Sequence, residues 1–163
     1  MRLPKFEYKK ATHLEEALTI YRHYDGRALY LAEGTDIIAR MKLRLEKPVA
    51  IIDLKGIKEL QGIREEAAYV TIGALTTLYE LKQNDIIKRY FPALWAALEL
   101  TSCETLQIRG TLGGNLLQET RCLFYNQSEF WRNAAGDCLK TGGEKCMVVG
   151  GIDVSQTTVV ILR

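Results

Sequence analysis

Three of the four cysteines in this chain lie in one short segment, at Cys122, Cys138 and Cys146, just after a Gly-Gly pair. Thiolates are the usual ligands of iron–sulfur clusters and common ligands of zinc. The intervening stretches of fifteen and seven residues lack the C-x2-C pair typical of zinc sites. The residues alone therefore leave three interpretations open: cluster ligands, a zinc site, or thiols that only pack. The fourth cysteine, Cys103, is expected to pack in the core.

Two glycine turns are the other residues that could do chemistry. The first lies in "LAEGTDI", where a strand meets a helix, and the second is "GTLGGNL". Glycine lets a ligand approach the main chain closely. Thr35 and Asp36 are suitable N-cap residues, after which the next amides point outward and can cradle a phosphate. Neither turn matches the dinucleotide or Walker motifs, so each is also readable as a plain turn.

The elements that must position these turns form two patterns. Residues 12–54 read as helix, strand, turn, helix and strand, which is a small α/β lobe. Its first helix starts at a capping box of Thr12 and Glu15, and its strands are "ALYLA" and "AIIDL". After residue 60, "LQGI" and "AAYVTIGA" read as strands separated by the polar "REE". Helices are predicted in "TTLYELKQND" and "PALWAALELT", with a helical turn in "QSEFWRNA".

Composition limits the class of protein. The chain has 163 residues, 47% of them hydrophobic and 26% charged, which supports one domain or two small lobes. The net charge of +2 and the interleaved charges argue against a nucleic-acid partner. No apolar run approaches the roughly twenty residues of a membrane span, and the charged N-terminus lacks a signal-peptide core. We therefore expect a cytoplasmic protein without a membrane partner, whose cysteines are thiols or metal ligands.

In their order and spacing, "LAEGTDIIARMK", "AIIDLKGIKEL", "VTIGALTTLYEL" and "GTLGGNL" resemble the FAD-binding subunits of molybdenum hydroxylases. The resemblance covers nearly all of residues 1–150. It implies an α+β fold of the two-lobed PCMH type, in which a small α/β lobe (1–56) precedes an α+β lobe (57–121). It also implies that FAD is held through its diphosphate by backbone amides of both turns. The corresponding residues are Leu31, Ala32, Glu33, Gly34, Thr35 and Asp36, and then Thr111, Leu112, Gly113, Gly114 and Asn115.

Glu33 departs from the family, which usually has a second glycine at this position. A carboxylate close to a diphosphate is repulsive unless it points away.

The cysteine segment, residues 122–151, narrows the resemblance to one branch, the flavin subunit of 4-hydroxybenzoyl-CoA reductase. That branch carries an insertion similar to "TRCLFYNQSEFW", which binds a [4Fe–4S] cluster through four cysteines. The resemblance implies Cys122, Cys138 and Cys146 as three ligands and puts Ser155 at the fourth position. Three thiolates leave one iron without a protein ligand. We therefore expect the three sulfurs to converge on a labile or empty site.

The tail, residues 152–163, does not follow the family, and the C-terminal domain that usually follows is missing. This predicts a truncated chain. Reading the tail two bases out of frame, with suitable codons, recovers a cysteine followed by Ser-Asp-Thr-Ala. A frameshift near residue 151 is one explanation.

The resemblance implies an electron-transfer subunit of an oxidoreductase. Electrons would pass from a ferredoxin-like donor through the cluster and FAD to a [2Fe–2S] small subunit and a molybdopterin-binding large subunit. There an aromatic CoA thioester would lose its phenolic hydroxyl, so no catalytic acid or base is expected in this chain. One alternative is the FAD subunit of a xanthine, aldehyde or CO dehydrogenase-type hydroxylase, with incidental cysteines. Another is a truncated fragment that binds nothing, or a structural zinc module.

Overall fold

The structure is a computed structural model that describes residues 2–148. The chain divides into two compact units, with the boundary between Gln118 and Glu119. Among the residues described, no helix combines the length and apolar character needed to cross a membrane. The predicted tail, residues 152–163, and its Ser155 lie outside the described residues.

The first unit begins with a parallel sheet of three strands. Strand β1 (Glu7–Lys10) and strand β2 (Ala28–Leu31) flank strand β3 (Ala50–Asp53) on its two edges. Helix α1 (Leu14–His23) connects β1 to β2, and helix α2 (Ile37–Lys42) connects β2 to β3. All four residues of β3 are buried, as a central strand of a parallel sheet requires.

The predicted α/β lobe is therefore present, with one strand more than the sequence pattern indicated. Strand β1 was missed because its sequence, "EYKK", carries no apolar pattern: it is an edge strand whose residues are mostly exposed. The predicted capping box of Thr12 and Glu15 is wrong. The backbone amide and the hydroxyl of Thr12 both donate to Glu16, one residue further on.

A second group of elements completes the first unit. An antiparallel hairpin of β4 (Ile63–Glu65) and β5 (Val70–Ile72) precedes three helices that pack around one core. These helices are α3 (Leu78–Gln83), α4 (Asp85–Tyr90) and α5 (Pro92–Leu100), and the shorter α6 (Glu104–Gln107) and α7 (Leu112–Leu116) follow them. The core residues of this group are Leu78, Leu81, Ile87 and Leu98.

Local sequence explains where these helices begin. The hydroxyl of Thr77 accepts a hydrogen bond from the amide of Glu80, whose carboxylate in turn accepts from Thr77, a complete capping box for α3. Asn84 caps α4 by accepting from two amides. Pro92 stands at the first position of α5, where its missing N–H costs nothing.

The hairpin corrects the predicted strand "LQGI". Strand β4 starts only at Ile63 and runs through Glu65, so two of the charged residues taken as a separator belong to the strand. The hairpin residues are half-buried or exposed and none is fully buried, which is why the period-two pattern was weak.

In its described part, residues 119–148, the second unit contains helix α8 (Glu129–Ala135) and a 3₁₀ turn at Leu139–Thr141. Ser128 caps α8 by accepting from the Trp131 amide at 3.3 Å, and the helical turn predicted in "QSEFWRNA" is confirmed. After the 3₁₀ turn, Gly142 takes a φ of +97°, which a residue with a side chain rarely adopts.

Candidate functional site

The first glycine turn follows the carboxyl end of β2. The backbone amides of residues 32–35 donate no hydrogen bond to any group among residues 2–148. Gly34 has a φ of +81°, and a Cβ built on it would lie 2.9 Å from Cγ1 of Ile38. Only glycine therefore fits at this position. Successive unpaired amides in such a turn are the arrangement that binds anions in many proteins.

A buried carboxylate holds this turn in place. Asp53, at the end of β3, is 2% exposed and accepts from the hydroxyl of Tyr8 and from the amide of Lys55 at 2.9 Å. Nζ of Lys55 lies 2.8 Å from Oδ1 of Asp53 and donates to the carbonyl of Ala32 at 3.2 Å. Lys55 thus ties the start of the turn to the central strand.

The electrostatics of Asp53 reflect both burial and these partners. Burial acts in the direction that raises the pKa of the carboxyl, and it is the largest single influence. Hydrogen bonds from Lys55 and Tyr8 together outweigh burial, so the pKa of Asp53 lies below its ordinary value. Sequence reasoning missed this group, although a charged residue at the end of an apolar strand was a signal for it.

The second glycine turn forms the start of α7, and its amides are already used. The amide of Leu112 donates to the Thr76 carbonyl at 2.9 Å, and that of Gly113 donates to the Ala74 carbonyl at 2.8 Å. The amide of Gly114 donates to Oγ1 of Thr111, the N-cap of α7, at 3.2 Å. The structure therefore does not present these three amides to a ligand as the sequence analysis expected.

Other groups of the second turn remain accessible. The Asn115 side chain is half-buried and makes no hydrogen bond within residues 2–148. Gly114 is exposed, and a Cβ there would meet only Oγ1 of Thr111, at 2.9 Å. Gly113 differs, because a Cβ there would lie 2.8 Å from both Cβ and the carbonyl oxygen of Ala74. Gly113 is thus needed for packing, while Gly114 leaves the surface open.

The two turns lie next to one another in the first unit. An ion pair joins them, with Nη2 of Arg109 placed 2.8 Å from Oε2 of Glu33. A Cβ on Gly110 would lie 3.9 Å from Oγ1 of Thr35. The Glu33 carboxylate is therefore paired with a cation that immediately precedes the second turn. Nothing local in the sequence signals a pair whose members are so distant along the chain.

The cysteine segment does not show the predicted convergence. All four cysteines are free thiols, and among residues 2–148 no group of three or more His, Cys, Asp or Glu side chains is placed to hold a metal ion. Local hydrogen bonds hold the backbone at two of the cysteines. The Cys122 carbonyl accepts from Asn126, and the Cys138 carbonyl accepts from Thr141 and Gly143. Each of these cysteines is held in its own turn, and Cys146 is buried.

Cys103 is a second correction. It is exposed at the N-cap of α6, whereas the sequence suggested that it packs in the core. Its Sγ lies 3.2 Å from the hydroxyl oxygen of Thr105, and this hydrogen bond is the main cause that lowers the pKa of the thiol.

Comparisons with known proteins show which family this chain is similar to. The family model described as "FAD binding domain in molybdopterin dehydrogenase" matches residues 4–154. The carbon monoxide dehydrogenase medium chain of Hydrogenophaga pseudoflava is 36% identical over 113 residues, which cover 69% of this chain and 39% of the relative. The nicotinate dehydrogenase FAD-subunit of Eubacterium barkeri is 36% identical over 112 residues, covering 68% and 38% of the two chains.

A solved structure agrees with the fold. It is carbon monoxide dehydrogenase from Hydrogenophaga pseudoflava lacking the Mo-pyranopterin moiety of its cofactor. The TM-score is 0.69 at 36% identity, and the match covers 71% of this chain and 40% of that one. The chain thus spans about 40% of the length of the relatives it matches, and the PCMH-type fold expected from the sequence is confirmed.

Proposed function

The chain belongs to the family of FAD-binding domains of molybdopterin dehydrogenases, and on that premise we propose that its two glycine turns bind FAD. The observation that carries the proposal is the set of unpaired amides at residues 32–35, beside the accessible second turn. Relatives in this family are FAD subunits of dehydrogenases. The residues present fit a diphosphate-bearing cofactor, because the amides supply donors and the glycines supply close access.

Different residues take different parts in the proposed site. The amides of Ala32, Glu33, Gly34 and Thr35 donate hydrogen bonds to the diphosphate, and Lys55 keeps their turn in place. The Asn115 side chain, on the second turn, forms a hydrogen bond with the cofactor across the surface that Gly114 leaves open. FAD, when bound, accepts and passes on electrons. No side chain of this chain is assigned a proton-transfer step.

An alanine substitution at Asn115 tests the site. Because the side chain makes no hydrogen bond within the described residues, Asn115→Ala should leave thermal stability nearly unchanged. It should weaken FAD binding about tenfold, the effect of losing a hydrogen bond to a charged group. The matched control is Gln83→Ala, an exposed amide at the end of α3. Equal dissociation constants for the two variants, measured by flavin fluorescence, would place the cofactor elsewhere.

The proposal extends to an electron-transfer role within a molybdenum enzyme. The names of the relatives, a medium chain and an FAD-subunit, describe parts of larger assemblies. By analogy we propose a molybdopterin-binding large subunit and a [2Fe–2S] small subunit as partners, and the cytoplasm as the location. Co-expression with such subunits from the same genome, followed by affinity purification of the tagged chain, tests for the assembly.

The proposal for the substrate and for the electron donor is supported by the cysteine segment alone. Its sequence supports a 4-hydroxybenzoyl-CoA reductase-like enzyme with a [4Fe–4S] cluster on Cys122, Cys138 and Cys146 and a ferredoxin-like donor. Because no group of three or more metal-binding side chains is assembled among residues 2–148, a cluster requires the segment to rearrange around it. The relatives that act on carbon monoxide or nicotinate favour the alternative, a hydroxylase-type enzyme without this cluster.

The visible spectrum of anaerobically purified protein distinguishes the two. Flavin absorbance together with iron and acid-labile sulfide, both lost in Cys138→Ser, would support the cluster. Flavin without iron would support the hydroxylase-type alternative.

A further inference from the structure

We propose that Arg109 is a positioning residue for FAD, because it cancels the charge of Glu33 within the turn that receives the diphosphate. This inference rests on the proposed function. Glu33 lies in the middle of the run of unpaired amides at residues 32–35. Without a partner, its carboxylate would oppose the same anion that the amides attract.

The geometry shows how the charge is cancelled. The guanidinium of Arg109, which immediately precedes the second turn, lies 2.8 Å from the Glu33 carboxylate. The Glu33 side chain is 22% exposed, whereas that of Arg109 is 63% exposed. The carboxylate is therefore the partly desolvated member, and the arginine retains N–H donors facing solvent.

A second explanation is that the pair is only a strut that keeps the two turns together. The two explanations differ when both charges are removed. If the pair is a strut, the doubly neutral variant has lost it and should bind FAD as poorly as the single variant at Arg109. If the pair cancels charge, the doubly neutral variant has no opposing carboxylate and should recover binding.

The experiment compares charge variants of the 163-residue chain, with FAD as the titrant and the dissociation constant as the readout. Arg109→Gln should weaken binding about tenfold at low ionic strength, and added salt should narrow that gap. Arg109→Lys, which retains the charge, should bind within about threefold of the unmodified chain. Glu33→Gln combined with Arg109→Gln should restore most of the lost affinity.

Each outcome decides the matter. A weak double variant overturns the charge-cancelling role and leaves a strut. An Arg109→Gln chain that binds as tightly as the unmodified chain overturns any role for the pair. If the unmodified chain itself binds no FAD, the proposed function fails and this inference fails with it. Thermal unfolding of each variant, compared with the unmodified chain, separates loss of binding from loss of fold.

Discussion

Replacing Gly113 with alanine should destabilise the first unit, while the same change at the neighbouring Gly114 should not. At Gly113 the new Cβ would lie 2.8 Å from both Cβ and the carbonyl oxygen of Ala74. Backbone must move to relieve this contact, and the movement disrupts the 2.8 Å hydrogen bond from the Gly113 amide to the same carbonyl. Gly114 meets only the hydroxyl oxygen of Thr111.

The magnitudes follow from these contacts. Overpacking costs about 1–3 kcal/mol, and a lost hydrogen bond costs about 1 kcal/mol. Alanine has a higher helix propensity than glycine, and this difference offsets about 1 kcal/mol of the loss. Gly113→Ala should therefore lower the free energy of unfolding by about 2 kcal/mol. For Gly114→Ala, disturbance of the Thr111 cap costs about 1 kcal/mol, which the helix propensity offsets.

Urea unfolding followed by tryptophan fluorescence measures the difference. The chain has two tryptophans, Trp95 in the first unit and Trp131 in the second, so a Trp131→Phe background makes Trp95 the reporter of the first unit. FAD affinity should fall in both glycine variants, since bulk at Gly114 covers the surface of the second turn. Equal destabilisation by the two substitutions would refute the assignment of Gly113 to packing and Gly114 to the ligand surface.

Three further predictions concern the supporting groups. The folded-state pKa of Asp53 lies below its ordinary value of 3.8, so its stabilising contribution is complete above that pH and is lost as the pH falls through the folded-state pKa. Asp53→Asn should therefore be less stable than the unmodified chain at pH 7 but approach it in acid unfolding scans below pH 3.8; a constant difference would contradict this. Lys55→Met should weaken FAD binding about fivefold, because the Ala32 carbonyl loses its tether, and unchanged titration curves would refute that role. Iodoacetamide should modify the exposed Cys103 well before the buried Cys146 in mass-spectrometric time courses, and the reverse order would contradict their placement.

The sequence revealed the parts of the fold that depend on local pattern. The two apolar strands, helices α1, α2, α3 and α5 and the glycine turns all follow from short-range periodicity and turn chemistry. The edge strand β1 and the start of β4 were missed, because exposed strands need no apolar alternation. The apolar pattern of the sequence does not reveal an exposed strand, because pairing with the neighbouring strand determines where it lies.

The sequence located the two glycine turns of the candidate site but not their tertiary contacts. Both turns could be identified from glycine and N-cap residues, yet only tertiary contacts decide which amides are free. Ala74 and Thr76 occupy the amides of the second turn from outside the motif. The ion pair of Glu33 and Arg109 likewise joins residues that are distant in the chain. The resemblance implied a shared site for three cysteines, but no group of three or more metal-binding side chains is assembled among residues 2–148.

The central claim is that FAD binds through the free amides of the first turn, and amide-resolved NMR tests it most directly. At 18.5 kDa the chain is small enough for assigned ¹H–¹⁵N spectra during titration with FAD. The amide protons of residues 32–35 should shift downfield, because they gain acceptors that they lack in the free chain. The amides of Leu112 and Gly113 should shift less, since they stay bonded to Thr76 and Ala74. Unperturbed amides at residues 32–35 in the presence of saturating FAD would contradict the account.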